Sequence, residues 1–383
     1  MIKKILIFSN SRSDYGILSN LIKKLNTINY FQVKLILTGE HFSKELGFTE
    51  NEVRKDKNKI FKKIKFKNYI SKSVNLIDCS GQILTQLAKT FTKYNPNIVI
   101  VLGDRYETLM CTYASFMKRV PVVHFHGGEK TYGSIDDSFR HSISKMSNIH
   151  FVERKIYKKR LVQIGENPKS VFVVGSLGRE NIFKQNFLNR KQIEKHLKLE
   201  LWDKNFLLTF HPETSCSKPI NFDRVLKVLT NFKETRFIFT APNKDVGSED
   251  IRKKITQYIK NNQNGVFFNS LGKKNYFSLM NIVDGVIGNS SSGIIEAPVF
   301  NIPTINIGNR QEGRFMEKTI INCRHEIKKM HKEIKKIIDS PRRKRLKRNN
   351  IKTNSNTSNK VIKILRSINE QNYLNKKFRD LPV

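Results

Sequence analysis

Several side chains that can carry protons lie close together between residues 124 and 141, in HFHGGEKTYGSIDDSFRH. The stretch holds three histidines, one glutamate and two aspartates, and it follows the apolar run VPVV. Carboxyl groups that face one cleft can divide into an acid and a base, because like charges drive their pKa values apart. We therefore predict that His126, Glu129 and Asp136 move protons in a reaction.

A fourth candidate of this kind is Asp104, which follows the apolar run IVIVL in LGDRYE. Burial raises the pKa of a carboxyl group and suits it to proton transfer. An aspartate just before a helix is also a common N-cap, and a helix that begins near Tyr106 would make Asp104 such a cap. The sequence leaves both interpretations open.

A second set of residues suits an anionic ligand. In GNSSSG (288–293) the small residues let backbone N–H groups approach an anion, and the hydroxyls of Ser290 and Ser291 can donate to it at the start of a helix. Glu296, one helical turn later, can accept hydrogen bonds from sugar hydroxyls, as acids do with ribose in other nucleotide sites. An ordinary serine-rich helix cap is the alternative.

Two arginines and one histidine extend this second set. The guanidinium groups of Arg12 and Arg310 match phosphate oxygens, and His211 in FHPET ends a predicted buried strand. Surface arginines and a hydrogen-bonded core histidine are the alternatives. The sequence contains neither GxGxxG nor GxxxxGK[ST], so NAD and ATP are not supported. We predict no cofactor and no metal.

The hydrophobic pattern predicts the strands and helices that would place these loops at one edge of a sheet. Short apolar runs alternate with helical stripes, which is typical of parallel sheets. The predicted strands are 4–8, 33–37, 97–102, 120–125, 149–152 and 171–174, then 206–210, 236–240, 265–268, 285–288 and 304–308. In open α/β sheets ligands lie beyond the carboxyl ends of the strands.

The repeated alternation predicts an α/β chain of two doubly wound, Rossmann-like domains that face each other across a cleft. We place them at residues 1–180 and 181–355, with a hinge near 176–200. Residues 356–383 form a C-terminal helix and tail that pack back on the first domain. We expect the chain to fray after residue 368.

Composition restricts the class of protein. With 383 residues, the chain is too long for one ordinary core, and no apolar run approaches the roughly 18 residues of a membrane span. The four cysteines are far apart, which indicates a reducing compartment and a cytoplasmic protein. The net charge of +38 is spread along the chain. We interpret the basic run SPRRKRLKRNN (340–350) as a solvated surface, and we predict binding to neither nucleic acid nor membranes.

The loops together resemble one family, the hydrolysing UDP-N-acetylglucosamine 2-epimerases of bacterial sialic acid synthesis. The motifs that carry the resemblance span residues 1 to about 320 and are SRSDYG, TGEHFSKELG, VLGDRYE, HFHGGEKT, IDDSFRHSISKMSNIHFV, YKKRLVQIGE, FVVGSLGREN, FHPET, APNKD, GNSSSGIIEAP and INIGNRQEGR. The resemblance implies a GT-B fold, conversion of UDP-N-acetylglucosamine to UDP and N-acetylmannosamine without a redox cofactor, and a homodimer or homotetramer.

The resemblance also assigns roles to residues. Proton transfer falls to Asp104 and to the loop that carries Asp136, in the first domain. Many relatives have HIEGGE where this chain has HFHGGE, so both His126 and Glu129 are candidates for the role of the missing acid. The resemblance places UDP binding mainly in the second domain. The residues that it implies for the phosphates, the ribose and the sugar come from both domains and are Arg12, Arg105, His211, Asn243, Ser290, Ser291, Glu296 and Arg310.

Two other activities are rivals to this one. Within the family, UDP-N,N'-diacetylbacillosamine (UDP-2,4-diacetamido-2,4,6-trideoxyglucose), the precursor of legionaminic acid, is an alternative substrate. Outside it, a glycosyltransferase of the same fold would need an acceptor before it released UDP. The acid cluster argues against the transferase, because an inverting transferase needs only one base.

Overall fold

The computed structural model of the protein describes residues 2–42, 49–56, 58–65, 76–132, 135–213, 221–242, 247–341 and 356–380. They form two units. Unit 1 comprises Met1–Glu129, Ile135–Asn181 and Thr353–Val383, and unit 2 comprises Lys130–Ser134 and Ile182–Lys352. The basic run 340–350 lies outside the described residues beyond Pro341.

Thirteen strands are found in the described part of the chain. They are β1 (Lys3–Ser9), β2 (Phe31–Thr38), β3 (Ile60–Ile64), β4 (Ile98–Leu102), β5 (Val122–Phe125), β6 (Ile149–Val152), β7 (Val171–Val173), β8 (Lys204–Thr209), β9 (Thr235–Thr240), β10 (Gly265–Phe268), β11 (Gly285–Gly288), β12 (Thr304–Ile307) and β13 (Ile320–Arg324).

The helices of the same described ranges lie mostly between consecutive strands. They are α1 (Arg12–Asn26), α2 (Glu50–Lys55), α3 (Leu76–Tyr94), α4 (Tyr106–Met117), α5 (Asp136–Met146), α6 (Lys155–Gln163), α7 (Leu177–Phe183), α8 (Arg190–Leu197), α9 (Phe222–Leu229), α10 (Ser248–Asn261), α11 (Gly272–Ile282), α12 (Ser291–Ile295), α13 (Ile327–Asp339) and α14 (Thr357–Ser367). Among the described residues, none of the helices combines the length and apolar character needed to cross a bilayer.

Each unit contains one parallel sheet. Unit 1 has the order β3-β2-β1-β4-β5-β6-β7, and unit 2 has the order β10-β9-β8-β11-β12-β13. The order reverses beside the first strand of each unit, between β1 and β4 and between β8 and β11, which is the arrangement of a doubly wound fold. The prediction of two Rossmann-like α/β domains is confirmed.

Buried apolar clusters lie on both faces of each sheet. Along β1, Ile5 and Ile7 belong to a cluster that includes residues of α1 and α14, while Leu6 and Phe8 belong to a cluster with α3 and α4. Successive side chains of a strand point to opposite faces. Strands covered on both faces therefore appear in the sequence as continuous apolar runs.

The C-terminal segment is bound within unit 1. Lys3 Nζ donates to the carbonyl oxygens of Leu365 and Ile368, both at 2.9 Å. Asn148 donates its side-chain N–H to the Tyr373 carbonyl at 2.9 Å. The expectation that the chain frays after residue 368 is therefore wrong for residues 369–380, because backbone and side-chain hydrogen bonds hold this segment against the strands and helices of the unit.

Candidate functional site

The carboxyl ends of β4 and β5, neighbours in the sheet of unit 1, carry three of the residues predicted to move protons, Asp104, His126 and Glu129. Arg140 of α5, whose side chain is only 3% exposed, connects two of them. Its Nη2 bonds to Asp104 Oδ2, and its Nη1 lies 3.4 Å from Glu129 Oε2. A guanidinium between two carboxylates reduces the repulsion between them. The sequence analysis missed Arg140, because nothing in one sequence shows that α5 passes beside the end of β4.

The third predicted proton carrier joins the same cluster. His126 Nδ1 lies 3.3 Å from Glu129 Oε1, so Asp104, His126 and Glu129 are brought together around Arg140. His126 has a φ of +67°, a left-handed conformation that is uncommon for a residue with a side chain. The next turn is tightly packed, since a Cβ atom on Gly128 would stand 2.3 Å from the Tyr157 carbonyl oxygen.

His124, in the same motif, has a positioning role. It is fully buried, and burial holds its pKa well below its ordinary value, so the ring is neutral. Its Nε2 lies 2.8 Å from the Gly103 carbonyl oxygen, which can only accept, so Nε2 is the donor. The other ring nitrogen, Nδ1, then accepts from the Ser144 hydroxyl at 3.2 Å. His124 thus fixes the turn that presents Asp104.

Asp104 does not cap α4. The helix begins at Tyr106, and its N-cap residue is Arg105, whose side chain makes no cap hydrogen bond. The N-cap interpretation of Asp104 is therefore wrong. Its carboxylate bonds to the side chain of Arg140 instead.

Arg105, predicted to bind UDP, is held by two carboxylates of unit 1. Its Nη1 lies 2.7 Å from Glu40 Oε1 and its Nε lies 3.3 Å from Glu107 Oε2. Glu107 is fully buried, and burial raises the pKa of its carboxyl group although the charge of Arg105 opposes the shift. Arg12, another predicted phosphate ligand, begins α1 and pairs with Glu52 at 3.0 Å.

Asp14 is a buried acid that the sequence analysis did not select. It lies in the first turn of α1, and its Oδ2 accepts from the Asn10 backbone N–H at 3.1 Å. Burial raises the pKa of Asp14 to about 6, an effect that the charge of Arg105 and the Asn10 hydrogen bond partly offset. Its spacing, three residues after the Ser11 cap, is the only signal in the sequence, and it predicts no more than a helix start.

Asp136 is the first residue of α5 and is partly buried. It precedes Arg140 by four residues, so the two side chains lie on the same face of the helix. Asp137 follows it and approaches His141, with Oδ2 to Nε2 at 3.4 Å. The helix therefore presents an acid from its first turn on the face that carries Arg140.

In unit 2 one buried residue, Asn289, joins the loops after β8, β11 and β12. Asn289 accepts from the His211 backbone N–H at 2.7 Å and donates to the His211 carbonyl at 2.8 Å. The backbone carbonyl of Asn289 accepts from the Gln311 side-chain amide at 2.8 Å and from Arg310 Nη1 at 3.4 Å. Asn289 was not selected from the sequence, although it lies within GNSSSG. Its contacts place the predicted ligands His211 and Arg310 around one residue.

A second unpredicted residue, Glu213, shapes the loop of Arg310. Its Oε1 accepts from the backbone N–H groups of Asn309 at 2.7 Å and of Arg310 at 3.2 Å. Gly308 has a φ of +77°, and a Cβ atom there would stand 2.1 Å from Glu213 Oε1. The loop that presents Arg310 therefore requires both the carboxylate and the glycine.

The GNSSSG motif begins the short helix α12. Ser290 is its N-cap and accepts from the Ser292 N–H at 3.4 Å, so the cap interpretation of this serine is realised. Ser291 follows as the first helical residue. Burial raises the pKa of Glu296, the residue after α12, and its hydrogen bond to Ser292 opposes that shift. Asn243 lies outside the described residues.

No group of three or more His, Cys, Asp or Glu residues within the described ranges could hold a metal ion. The strand ends of unit 1 carry an array of acids and a histidine around Arg140, and those of unit 2 carry amide, hydroxyl and arginine donors.

Comparison with known proteins gives consistent matches. The sequence model of the family described as UDP-N-acetylglucosamine 2-epimerase matches residues 23–366. The GDP/UDP-N,N'-diacetylbacillosamine 2-epimerase (hydrolyzing) of Campylobacter jejuni is 39% identical over 99% of both chains. The polysialic acid biosynthesis protein P7 of Escherichia coli is 36% identical over 84% of this chain and 82% of its own length. The solved structure described as the S. aureus MnaA–UDP co-structure superposes over the full length of both chains, with a TM-score of 0.76 at 16% identity. This likeness shows a fold of the GT-B type.

Proposed function

Because the chain belongs to the UDP-N-acetylglucosamine 2-epimerase family and is a hydrolysing UDP-sugar 2-epimerase, we propose that it converts a UDP-2-acetamido sugar and water to UDP and the free sugar with inverted configuration at C2. The observation that carries this reaction is the cluster of Asp104, Glu129 and His126 around Arg140 in unit 1.

The proposed reaction has two proton steps at one carbon. A base removes the C2 proton while the bond from C1 to the diphosphate oxygen breaks, which gives a glycal and UDP. Water then adds at C1, and an acid returns a proton to C2 from the opposite face. Two groups on two faces of the ring are needed. Candidates for the two groups are Asp104 and Glu129, which Arg140 joins, and Asp136 at the start of the helix that carries Arg140. His126 is the alternative to Glu129.

We propose that unit 2 binds the nucleotide. Arg310 and the hydroxyls of Ser290 and Ser291 are suited to stabilise the charge that grows on the leaving diphosphate. Glu296 is suited to accept hydrogen bonds from the ribose. His211, fixed by Asn289, supplies a further donor beside them.

For the sugar we propose UDP-N,N'-diacetylbacillosamine, because the relative that matches 99% of both chains carries that sugar in its name. UDP-N-acetylglucosamine, which the sequence analysis favoured, is the second candidate, since the matching family is described by it and the relative P7 is named for polysialic acid biosynthesis. Cytoplasmic location, homo-oligomerisation, sialic acid synthesis as the pathway and the absence of nucleic acid binding stay predictions.

The test is incubation with each UDP-sugar alone, with measurement of UDP and identification of the released sugar by NMR. In heavy water the product should carry deuterium at C2, because the proton at that carbon exchanges with solvent. We expect release from the diacetamido sugar at the higher kcat/KM. UDP release that requires an added acceptor would refute hydrolysis and favour a glycosyltransferase. A product with retained C2 configuration or without deuterium would refute the elimination.

A further inference from the structure

The chain after α14 makes an unusual set of contacts in unit 1. The Arg379 N–H donates to the Gly165 carbonyl at 3.3 Å, and the ring of Phe378 lies so close to Gly165 that a Cβ atom there would stand 2.5 Å from it. Between these contacts and α14 lies Lys376, whose ammonium group is turned into the unit. This tail (residues 369–380) is therefore fitted to a particular part of unit 1.

Lys376 Nζ caps the end of α5. It donates to the carbonyl oxygens of Ser144 at 3.1 Å, Lys145 at 2.7 Å and Ser147 at 2.7 Å. α5 ends at Met146, so Ser144 and Lys145 belong to its last turn and Ser147 is its C-cap residue. The last carbonyls of a helix lack the full set of intrahelical N–H partners, and the Ser147 N–H reaches only the Ser144 carbonyl among these three, at 3.2 Å. A cation at this end also interacts favourably with the helix dipole.

A buried acid holds the same ammonium group. Glu166, whose side chain is fully buried, lies 2.6 Å from Lys376 Nζ through Oε2. The same carboxylate accepts a hydrogen bond from His150 Nε2 at 3.0 Å through Oε2 and forms an ion pair with Lys145, whose Nζ lies 3.1 Å from Oε1. Removal of one partner from a buried ionic network leaves the others uncompensated, so Lys376 is strongly specified where it stands.

The middle of α5 carries a residue of the candidate site. Arg140 lies one turn before Ser144 and bonds to Asp104 and Glu129. Ser144 itself donates to His124, which fixes Gly103 next to Asp104. One helix thus links the ammonium group of the tail to the side chains proposed to move protons.

We propose that Lys376 is a positioning residue for the reaction: by holding the C-terminal turn of α5, the tail sets where Arg140 and Ser144 stand and so aligns Asp104 and Glu129. This inference rests on the proposed function of those acids. A displacement of about 1 Å in a catalytic array can lower the rate about a hundredfold, so loss of this anchor should reduce kcat without weakening nucleotide binding in unit 2.

The experiment compares Lys376→Met with Lys377→Met, an exposed neighbour in the same tail. For Lys376→Met we expect kcat to fall about ten- to a hundredfold, with KM and the Kd for UDP within about threefold of wild type, and faster amide hydrogen exchange confined to residues 136–147. Lys377→Met should match wild type in every measurement. Lys376→Arg, which keeps the charge, should restore part of kcat and provides a folded variant if the methionine variant does not fold.

Three outcomes would overturn the inference: kcat within twofold of wild type in Lys376→Met, exchange that rises throughout unit 1 in proportion to lost activity, or a fall in kcat equal to that of Lys377→Met. Failure of the proposed function is a separate result, since wild type would then release no UDP from any UDP-sugar. The exchange of α5 would still show whether Lys376 anchors the helix.

Discussion

The two units solve the same structural problem with different chemistry. In both, loops at the carboxyl ends of parallel strands carry the polar side chains. In unit 1 those side chains are charged and paired with each other, as Arg140 is with Asp104 and Glu129. In unit 2 they are held by neutral amide and backbone groups, as His211 and Arg310 are by Asn289.

The difference indicates a division of labour. Neighbouring acids and a histidine can exchange protons, and a shared guanidinium keeps them at fixed positions. A loop fixed through its backbone leaves the arginine and hydroxyl groups available to orient an anion. If this comparison is right, substitutions in unit 1 should reduce turnover and substitutions in unit 2 should reduce affinity for the nucleotide.

The largest effect should follow from Asp104→Asn. The amide keeps the shape of the carboxylate and cannot carry the proton, so kcat should fall by about 10² to 10⁴, with the Kd for UDP unchanged. Steady-state kinetics and calorimetric UDP titration measure the two quantities. Asp223→Asn, at an exposed aspartate of unit 2, serves as the control and should have no effect. Turnover within a few fold of wild type would remove Asp104 from the proton chemistry.

Arg140→Met tests whether the acids of unit 1 depend on a common partner. Loss of a buried cation leaves two carboxylates uncompensated, and removing one partner of such a network typically destabilises a protein by about 3 to 5 kcal/mol. Urea unfolding measures the change. Lys23→Met removes an exposed lysine from its ion pair with the partly buried Asp56 and should change stability by less than about 1 kcal/mol. Equal effects of the two substitutions would show that Arg140 has no special place.

Sequence analysis located the strands better than the partners of the site. The runs at 149–152 and 285–288 match β6 and β11 to the residue, because strands buried on both faces are apolar throughout. The edge strands β3, IFKKI, and β13, IINCR, were not predicted. Both are only partly buried, and lysine, asparagine and arginine interrupt their apolar pattern.

The same limit applies to the candidate site. Asp104 and Glu129 were found because each follows a predicted strand, and strand ends are visible in the pattern. Arg140, Asn289 and Glu213 were missed because their roles depend on which loops are neighbours in space. The cap interpretation of Asp104 was open in the sequence for a similar reason, since only the structure shows that Arg105 occupies the N-cap position.

Asp14→Asn is a substitution in unit 1 that should stabilise the protein, whereas Arg140→Met should destabilise it. Folding raises the pKa of Asp14 from its ordinary value of 3.8 to about 6. Between these pH values the folded chain holds a proton that the unfolded chain releases, so the free energy of unfolding falls as the pH rises and stays lower above pH 6. At about 1.4 kcal/mol per pKa unit, the variant should be more stable than wild type at pH 7 by about 2 to 3 kcal/mol.

This gain should vanish near pH 4, where wild-type Asp14 is protonated in the folded chain. Urea unfolding at both pH values measures it. Asp78→Asn, at an exposed acid in the first turn of α3, is the matched control and should give a difference of less than about 1 kcal/mol at either pH. A variant that is less stable than wild type at pH 7 would mean that the ionised carboxylate stabilises the helix start more than its burial opposes it.

The smallest effect should come from Glu296→Gln in unit 2. A carboxylate that accepts from ribose hydroxyls makes charge-assisted hydrogen bonds, and an amide oxygen makes weaker ones, so the loss should be about 1 kcal/mol, or five- to tenfold in the Kd for UDP. The value of kcat should change little, because Glu296 is not part of the proton array.

Burial raises the pKa of Glu296, so wild-type affinity should decline toward that of the variant as the pH falls through that pKa, while the affinity of the variant stays flat. Glu312→Gln, at an exposed glutamate of the neighbouring loop, should resemble wild type at every pH. If Glu296→Gln instead lowers kcat and leaves UDP binding intact, the division between a proton-transferring unit 1 and a nucleotide-binding unit 2 is wrong.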